Sequence, residues 1–381
     1  MENSIFSIWE KESYLAPRDV VVVGSGLVGL WSAWFLKQAR PDLTVTVLEK
    51  GLLPSGASTR NAGFACFGSP SEILGDVASM GRDAALSLVE MRFRGLEMTR
   101  QLLPASVTGF EPCGGYECFQ THPGALDALN RDLQDITGVY PVFSPADDRM
   151  ASLGLTGFKH LVYNPLEAAL HSGMLVRALT ARVQSLGVTF LTGVTVTGWD
   201  ESPAGVRLRT DRGFSLEAGR ILLCTNGFSK DLWPADVTPA RGQVLVTAPI
   251  PGLQLRGTFH YDEGFYYFRH LGDRVLLGGA RNQAFDEETT TAPDTSPRIQ
   301  EALEAFLRDH VPQAAGVPID YRWAGIMGMG SEKFPILKAL GERVFCAVRL
   351  SGVGVAISPL VGSRAAELVL GHGPARRLGH S

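Results

Sequence analysis

A β-branched stretch near the start, Asp19-Val20-Val21-Val22-Val23, runs directly into Gly24-Ser25-Gly26-Leu27-Val28-Gly29, and no other feature restricts the fold of this chain as strongly. Consecutive valines suit a strand buried on both faces. Leu30 to Leu36 then predicts a helix, and after Pro41-Asp42 the run Leu43 to Leu48 predicts a second strand that ends in Glu49, 20 residues beyond Gly29. A lone GxGxxG is weak, but strand, glycine turn, helix and acid in this order read as a dinucleotide site. Gly24 permits the tight turn, Gly26 lets backbone approach a pyrophosphate, and Gly29 lets the helix pack on the strand. The helix N-terminus attracts the anion. Glu49 suits ribose hydroxyls and repels a 2′-phosphate, which disfavours NADP. The same reading disposes of a membrane span: Val20 to Leu36 is an uncharged run of 17 residues, but its glycines divide it into strand, turn and helix.

With 381 residues, 45% of them apolar, the chain can bury a large core in more than one domain. Its 35 basic and 39 acidic residues form no long run of one sign, so nucleic acid is not an expected partner. Five cysteines, an odd number without zinc-site spacing, read as reduced thiols in the cytoplasm. The eight histidines show no ligand pairing; His160, His171, His260 and His270 read as surface or hydrogen-bonded residues, and no metal is expected.

After Glu49-Lys50 comes a polar loop, Pro54-Ser55-Gly56-Ala57-Ser58-Thr59-Arg60-Asn61-Ala62-Gly63. It resembles the GAS-x-RN-x-G loop of the superfamily of D-amino-acid oxidase, glycine oxidase and sarcosine oxidase. Further similar segments follow in family order: Met174 to Leu179 and Leu186 to Phe190 before Val194; Ile221 to Gly227; Pro239-Ala240-Arg241-Gly242-Gln243; Arg322 to Gly325; and Ser351 to Val355. The resemblance implies an α/β chain in which a Rossmann-type FAD-binding domain (1–90, 155–235 and 320–381) is interleaved with an antiparallel-sheet α+β substrate domain (91–154 and 236–319). It implies FAD held by Gly24, Ser25, Gly26, Leu27, Val28 and Gly29, by Glu49 and Lys50, and by Ser58, Thr59, Arg60, Asn61, Ala62 and Gly63. Val194, the turn Thr225, Asn226 and Gly227, then Gly325 and finally Gly352, Val353, Gly354 and Val355 complete that set. No cysteine lies between Trp323 and Phe334, so FAD is expected to be non-covalent.

The implied chemistry is oxidation of a small amine or amino acid at its C–N bond: hydride passes to the flavin N5 and water hydrolyses the resulting imine. Only one dinucleotide fingerprint occurs, so electrons come from the substrate and leave to O2 or to a quinone or carrier. The run Gly264 to Arg269 predicts a substrate-side strand, paired with Arg274 to Gly279 across the turn His270 to Asp273. Alternation puts Phe265, Tyr267 and Arg269 on one face and Tyr266 and Phe268 on the other. By position Tyr266 matches the family tyrosine that faces substrate. The family arginine that clamps a carboxylate is replaced by Met327, and the sarcosine-oxidase lysine that promotes oxygen reaction by Leu276. Arg349 is the expected replacement clamp or flavin-stabilising charge, with Arg322 and Arg269 as weaker candidates. Cys66 reads as a small buried thiol beyond the loop. Residues 286–297 read as an exposed loop and Arg298 to His310 as an amphipathic helix. Two other readings remain open: oxidation of a 2-hydroxy acid or polyol on the same fold, and an electron-relay flavoprotein subunit. A homo-oligomer is compatible with either.

Overall fold

The valine run forms the strand Arg18–Val23 in the middle of an eight-stranded sheet, in a computed structural model that describes residues 6–124 and 126–371. In the sequence the Gly-rich, basic stretch from Gly371 reads as a fraying end, and its residues 372–381 lie outside those described. Across the sheet the order is Ile336–Ala339, Val344–Val348, Ser215–Leu223, Arg18–Val23, Val45–Glu49 and Thr189–Thr192. The inner pairs are all parallel, which requires each return to cross over a face of the sheet. Two further strands, Val196–Ser202 and Gly205–Thr210, form an antiparallel hairpin on the outer half of Ser215–Leu223.

Leu27–Ala39 is the first crossing helix, and its buried face packs against the helix Gly354–Leu370. Gly362 makes that approach possible, because a Cβ there would stand 2.5 Å from the Trp31 Cβ. The helix Arg82–Leu102 docks on the same partner at Gly95, where a Cβ would stand 2.0 Å from the Ala356 carbonyl oxygen. It is one continuous helix across position 90, so the expected domain joint there does not interrupt the chain. Among the described residues no helix is long and apolar enough to cross a membrane.

The second sheet runs Ile319–Met329, Thr238–Thr247, Arg274–Gly279, Tyr266–Leu271, Thr258–Tyr261, Gly115–Phe119, His160–Asn164 and Ser144–Pro145. It is antiparallel except where Thr258–Tyr261 pairs in parallel with Gly115–Phe119. Two expected boundaries therefore shift: His160–Asn164 and Ile319–Met329 belong to this sheet, because ladder bonds tie them to Gly115–Phe119 and Thr238–Thr247. The hairpin turn is Gly272-Asp273 alone, with Gly272 at φ 62; His270 and Leu271 stay in the ladder. One face of the sheet buries Leu245, Tyr266, Phe268 and Leu277 beneath the helix Pro297–His310. The other face turns to the first domain.

Candidate active site and cofactor cleft

A cleft opens where the parallel strands end, and residues from far-apart segments line it: Gly24, Gly26, Glu49, Lys50, Ser58, Val194, Thr225, Asn226 and Gly227. The crevice beyond the carboxyl ends of parallel strands, at the switch in strand order, is where such sheets take ligands. Gly24 sits at φ 106, and a Cβ on it would meet the Cys224 carbonyl oxygen at 2.8 Å. Gly29 is tighter, since its Cβ would lie 2.0 Å from the Gly24 oxygen. Gly26 faces the Ser58 Oγ, which accepts a hydrogen bond from the Leu27 amide at 2.9 Å. An oxygen therefore already sits at the first amide of a 13-residue helix. A diphosphate oxygen suits the same dipole end.

Glu49 is buried and takes hydrogen bonds from the Ser25 amide (3.0 Å) and Ser25 hydroxyl (2.7 Å) on one oxygen and from the Gly51 amide (2.9 Å) on the other. Its carboxylate keeps further acceptor capacity for ribose hydroxyls. The Val194 amide donates to the Glu49 carbonyl at 3.0 Å, which ties the two strand ends together. Lys50 holds its ammonium 3.2 Å from the Phe228 ring centre; burial lowers its proton affinity, against the pull of Asp231 and Glu49.

The loop after Glu49 braces itself. The Asn61 amide donates to the carbonyls of Ala57 and Ser58 (3.0 and 2.9 Å), and its oxygen accepts from the Gly63 amide and Ser172 hydroxyl. Arg60 donates to the Ala324 carbonyl at 3.2 Å, the Trp323 indole donates to the Arg60 carbonyl at 3.0 Å, and Gly325 lies against the Arg60 Cβ. Thr59 bonds back to the Pro54 carbonyl. Asn226, at φ 42, accepts from the amides of Arg349 (3.0 Å) and Leu350 (3.3 Å). Beside it, the Ser351 hydroxyl is buried with no hydrogen-bond partner among the described residues. An orphaned buried hydroxyl next to the cleft asks for a polar ligand group. The glycine cradle, the dipole end, the free capacity of Glu49 and this hydroxyl together fit FAD.

Residues 19–368 match the family described as FAD dependent oxidoreductase. The chain belongs to that family, and FAD is its cofactor. It is 27% identical to the bifunctional protein ThiO/ThiG of Trichormus variabilis over 84% of this chain and 47% of that protein. It is also 27% identical to the gamma-glutamylputrescine oxidoreductase of Escherichia coli strain K12, over 93% of this chain and 84% of that one. The chain spans about half the length of the bifunctional ThiO/ThiG relatives. Among solved structures it superposes on glycine oxidase from Geobacillus kaustophilus with TM-score 0.76 at 21% identity, covering 95% of this chain and 97% of that one. For L-proline dehydrogenase from P. horikoshii the TM-score is 0.75 at 17% identity, covering 95% and 96%.

In this FAD dependent oxidoreductase the sheet face turned to the cofactor loop carries Tyr267, not Tyr266. Tyr266 stacks on Phe306 (centroids 4.7 Å apart, planes 12° apart) in the core beneath the outer helix, which corrects the expected assignment. The alternation was legible, but which face meets the cofactor depends on where the helix packs. The Tyr267 ring lies flat over Gly278, whose Cβ would be 2.4 Å from it, and its hydroxyl reaches the space above Gly242. Met327 meets it there: a Cβ on Gly242 would stand 3.2 Å from Met327 Cε and 3.6 Å from Tyr267 Oη, and one on Gly352 3.7 Å from Met327 Sδ. Met327 thus stands where the second sheet meets the segment around Gly352. Val353, Gly354 and Val355 lie just beyond it, at the start of the C-terminal helix. Burial pushes the Tyr267 hydroxyl up to about 12, partly offset by the charge of Arg281, so it stays protonated at neutral pH. Leu276 is buried with Ala62, Val244 and Val246.

The arginines are placed differently from the sequence reading. Arg349 is buried at φ 64, and its guanidinium is engaged by Asp236, by Glu332 at 3.2 Å and by the Phe334 carbonyl at 2.8 Å. Its hydrogen-bonding edge is directed at those groups, so in this structure it braces the loop beside Asn226. Arg322 is held by Gln300 and Glu304 near the outer helix. Arg269 donates to the Ala62 carbonyl (2.8 Å) and Leu170 carbonyl (3.1 Å), which pins the cofactor loop from below. Removing it strands two carbonyls in a buried place, at about 1–3 kcal/mol each. Arg269→Met is therefore expected to lose FAD during gel filtration while the outer helix side stays folded; flavin absorbance per chain together with circular dichroism checks this, and full retention of FAD would count against it.

Sequence reasoning missed Arg281, in the short turn Arg281–Gln283 that follows Gly279. Its guanidinium lies over the Phe285 ring at 4.7 Å and makes no hydrogen bond or ion pair among the described residues. Burial works against its charge, and Glu288 and Tyr267 are near enough to offset part of that. The only sequence signal is an arginine placed directly after a strand end.

His160, His171, His260 and His270 are all hydrogen-bonded, but two of the four are buried: His270 contacts Glu111 at 3.1 Å and His260 contacts Glu167 at 2.5 Å. Burial opposes the charge of His260, yet Glu167 in contact, with Glu117 and Glu72 behind, pushes it up to about 9.

Proposed function

We propose that this chain oxidises a small amine or amino acid at its C–N bond, the substrate lying between Tyr267 and Met327 with a carboxylate held by Arg281. The observation that carries this reading is the junction above Gly242, where the Tyr267 hydroxyl meets Met327, whose thioether also reaches Gly352. The names of the relatives, an oxidoreductase of gamma-glutamylputrescine and a glycine oxidase, support the C–N reading. FAD, when bound, supplies the acceptor for hydride leaving the carbon that bears nitrogen. Nitrogen gives up a proton, and water hydrolyses the imine to a carbonyl compound and a smaller amine. The Tyr267 hydroxyl orients the substrate as a neutral donor or acceptor, Met327 and Leu276 exclude water, and Arg281, which makes no ion pair among the described residues, offers a bidentate partner.

Leu276 in place of a lysine supports a quinone or carrier protein as the electron acceptor, with slow use of O2. The five cysteines are all free thiols, which supports a reducing compartment, the cytoplasm. An anaerobic flavin spectrum titrated with amino acids, N-alkyl amines and hydroxy acids tests the reading: bleaching by an amine class is expected. Bleaching by hydroxy acids alone would overturn it. With the bleaching substrate in hand, Arg281→Met is expected to raise KM about 10- to 100-fold with FAD content unchanged, as loss of a charge-assisted bond of about 1.5–3 kcal/mol requires. An unchanged KM would remove Arg281 from the site.

A further inference from the structure

Cys66, Glu167 and His260 are about a hundred residues apart from one to the next, yet the Cys66 Sγ, a carboxylate oxygen of Glu167 and an imidazole nitrogen of His260 all lie within 4.8 Å of one another. The two-residue strand pair Phe64–Ala65 with Ala168–Ala169 brings the first two together, since its register sets Cys66 opposite Glu167. The Glu167 carboxylate then lies flat over Gly115, where a Cβ would stand 2.4 Å from its Cδ. There it accepts from the Thr258 hydroxyl at 2.8 Å and contacts His260 Nε2 at 2.5 Å. Glu167 is 2% exposed and His260 5%. Phe64 crosses edge-on to both the His260 ring (5.3 Å) and the Tyr267 ring (5.9 Å), so the cluster adjoins the junction described above.

From this geometry we infer that Cys66, Glu167 and His260 form a binding site for a zinc-class divalent cation, distinct from the FAD cleft. Sulfur, imidazole nitrogen and carboxylate oxygen are the donor types zinc takes, and three protein donors leave a fourth position for water or another small ligand. The ion replaces the proton shared by His260 and Glu167, and the Cys66 thiol loses its proton to solvent. Thiolate and carboxylate then balance the two positive charges. All three donors stand on ladder residues or directly beside them, and Thr258 holds the carboxylate from behind, as ligand-orienting groups do in metal sites.

Holoenzyme equilibrated with Zn2+ and freed of excess is expected to carry about one zinc per flavin by elemental analysis. Cys66→Ser and Glu167→Gln are expected to lose it while keeping FAD, and Cys118→Ala, on the opposite face of the same sheet, to keep both. Zinc K-edge absorption of the unmutated protein is expected to show one sulfur at about 2.3 Å among lighter donors. Wild-type protein that retains no stoichiometric zinc, a Cys66→Ser variant that binds as much as wild type, or a zinc shell with no sulfur each overturns the site and leaves a purely hydrogen-bonded triad.

Discussion

Gly29→Ala is expected to leave a protein that retains no FAD through gel filtration and melts well below the unsubstituted chain. The added Cβ would stand 2.0 Å from the Gly24 carbonyl oxygen and 3.1 Å from its carbon, where ordinary contact begins near 3.4 Å. Backbone cannot swing aside as a long side chain can. Gly24 has no room to retreat, because its own position is limited by the Cys224 carbonyl of the neighbouring strand. The helix must therefore lift from the turn. Overpacking where side chains can yield costs about 1–3 kcal/mol, and two backbone walls put this case at about 3 kcal/mol. Lifting the helix also withdraws the N-terminal amides, the dipole end suited to a diphosphate, so cofactor loss is expected to accompany the loss of stability. Gly26→Ala separates the two effects: its Cβ meets only the Ser58 Oγ at 3.0 Å, a side chain that can rotate. It should weaken FAD binding with little change in the melting temperature of the apoprotein. A Gly29→Ala protein with full flavin content and an unchanged melting point would contradict the argument.

Arg241→Met should destabilise the second sheet by about 3–5 kcal/mol at neutral pH, the range for a buried ion pair that loses one partner. Glu288 is completely buried, and Arg241 grips it with two hydrogen bonds of 2.9 and 2.7 Å, joined by Gln243 at 2.9 Å. With arginine gone the carboxylate is left buried and charged, with only the neutral donors Gln243 and Ser296 to hold it. Acid should narrow the gap. Burial alone would raise the Glu288 carboxyl, but the bonds from Arg241 and Gln243 and the arginine charge hold it below the ordinary glutamate range. A depressed acid stabilises the fold above its unfolded value, and that contribution is lost as pH falls through the folded value. Urea unfolding at neutral and acid pH checks both statements, and Arg241→Met with Glu288→Gln should recover most of the loss. An equal deficit at both pH values would show that packing around Arg241, not the charge, carries the effect.

Legibility in the sequence followed the range of the interactions. The strand, glycine turn, helix and acid of residues 18–49 were readable because each depends on its immediate neighbours. Loop residues Ser58 to Gly63 were readable as a pattern, but their working partners were not: Arg269, Ser172 and Trp323 reach the loop from distant strands and helices. Alternation separated two faces along 266–269, whereas Phe265 stands before the strand and packs with the cluster on the Tyr266 side. Nothing local could say that the helix Pro297–His310 would claim the Tyr266 face and leave Tyr267 to the cofactor side. Arg349 was attractive because it stands next to a cofactor segment, yet Asp236 and Glu332 arrive from elsewhere to engage it.

By itself the sequence determined that a Rossmann-type unit binds a dinucleotide and that Glu49 ends its second strand, since glycine spacing, strand propensity and segment order are properties of neighbouring residues. Only the tertiary structure decided which tyrosine shares a sheet face with the loop at Ala62, that Arg281 makes no ion pair among the described residues, and that Cys66, Glu167 and His260 meet. Those outcomes depend on which sheet face the outer helix covers and on pairings between strands far apart in the chain, and a one-dimensional pattern carries no register between distant segments.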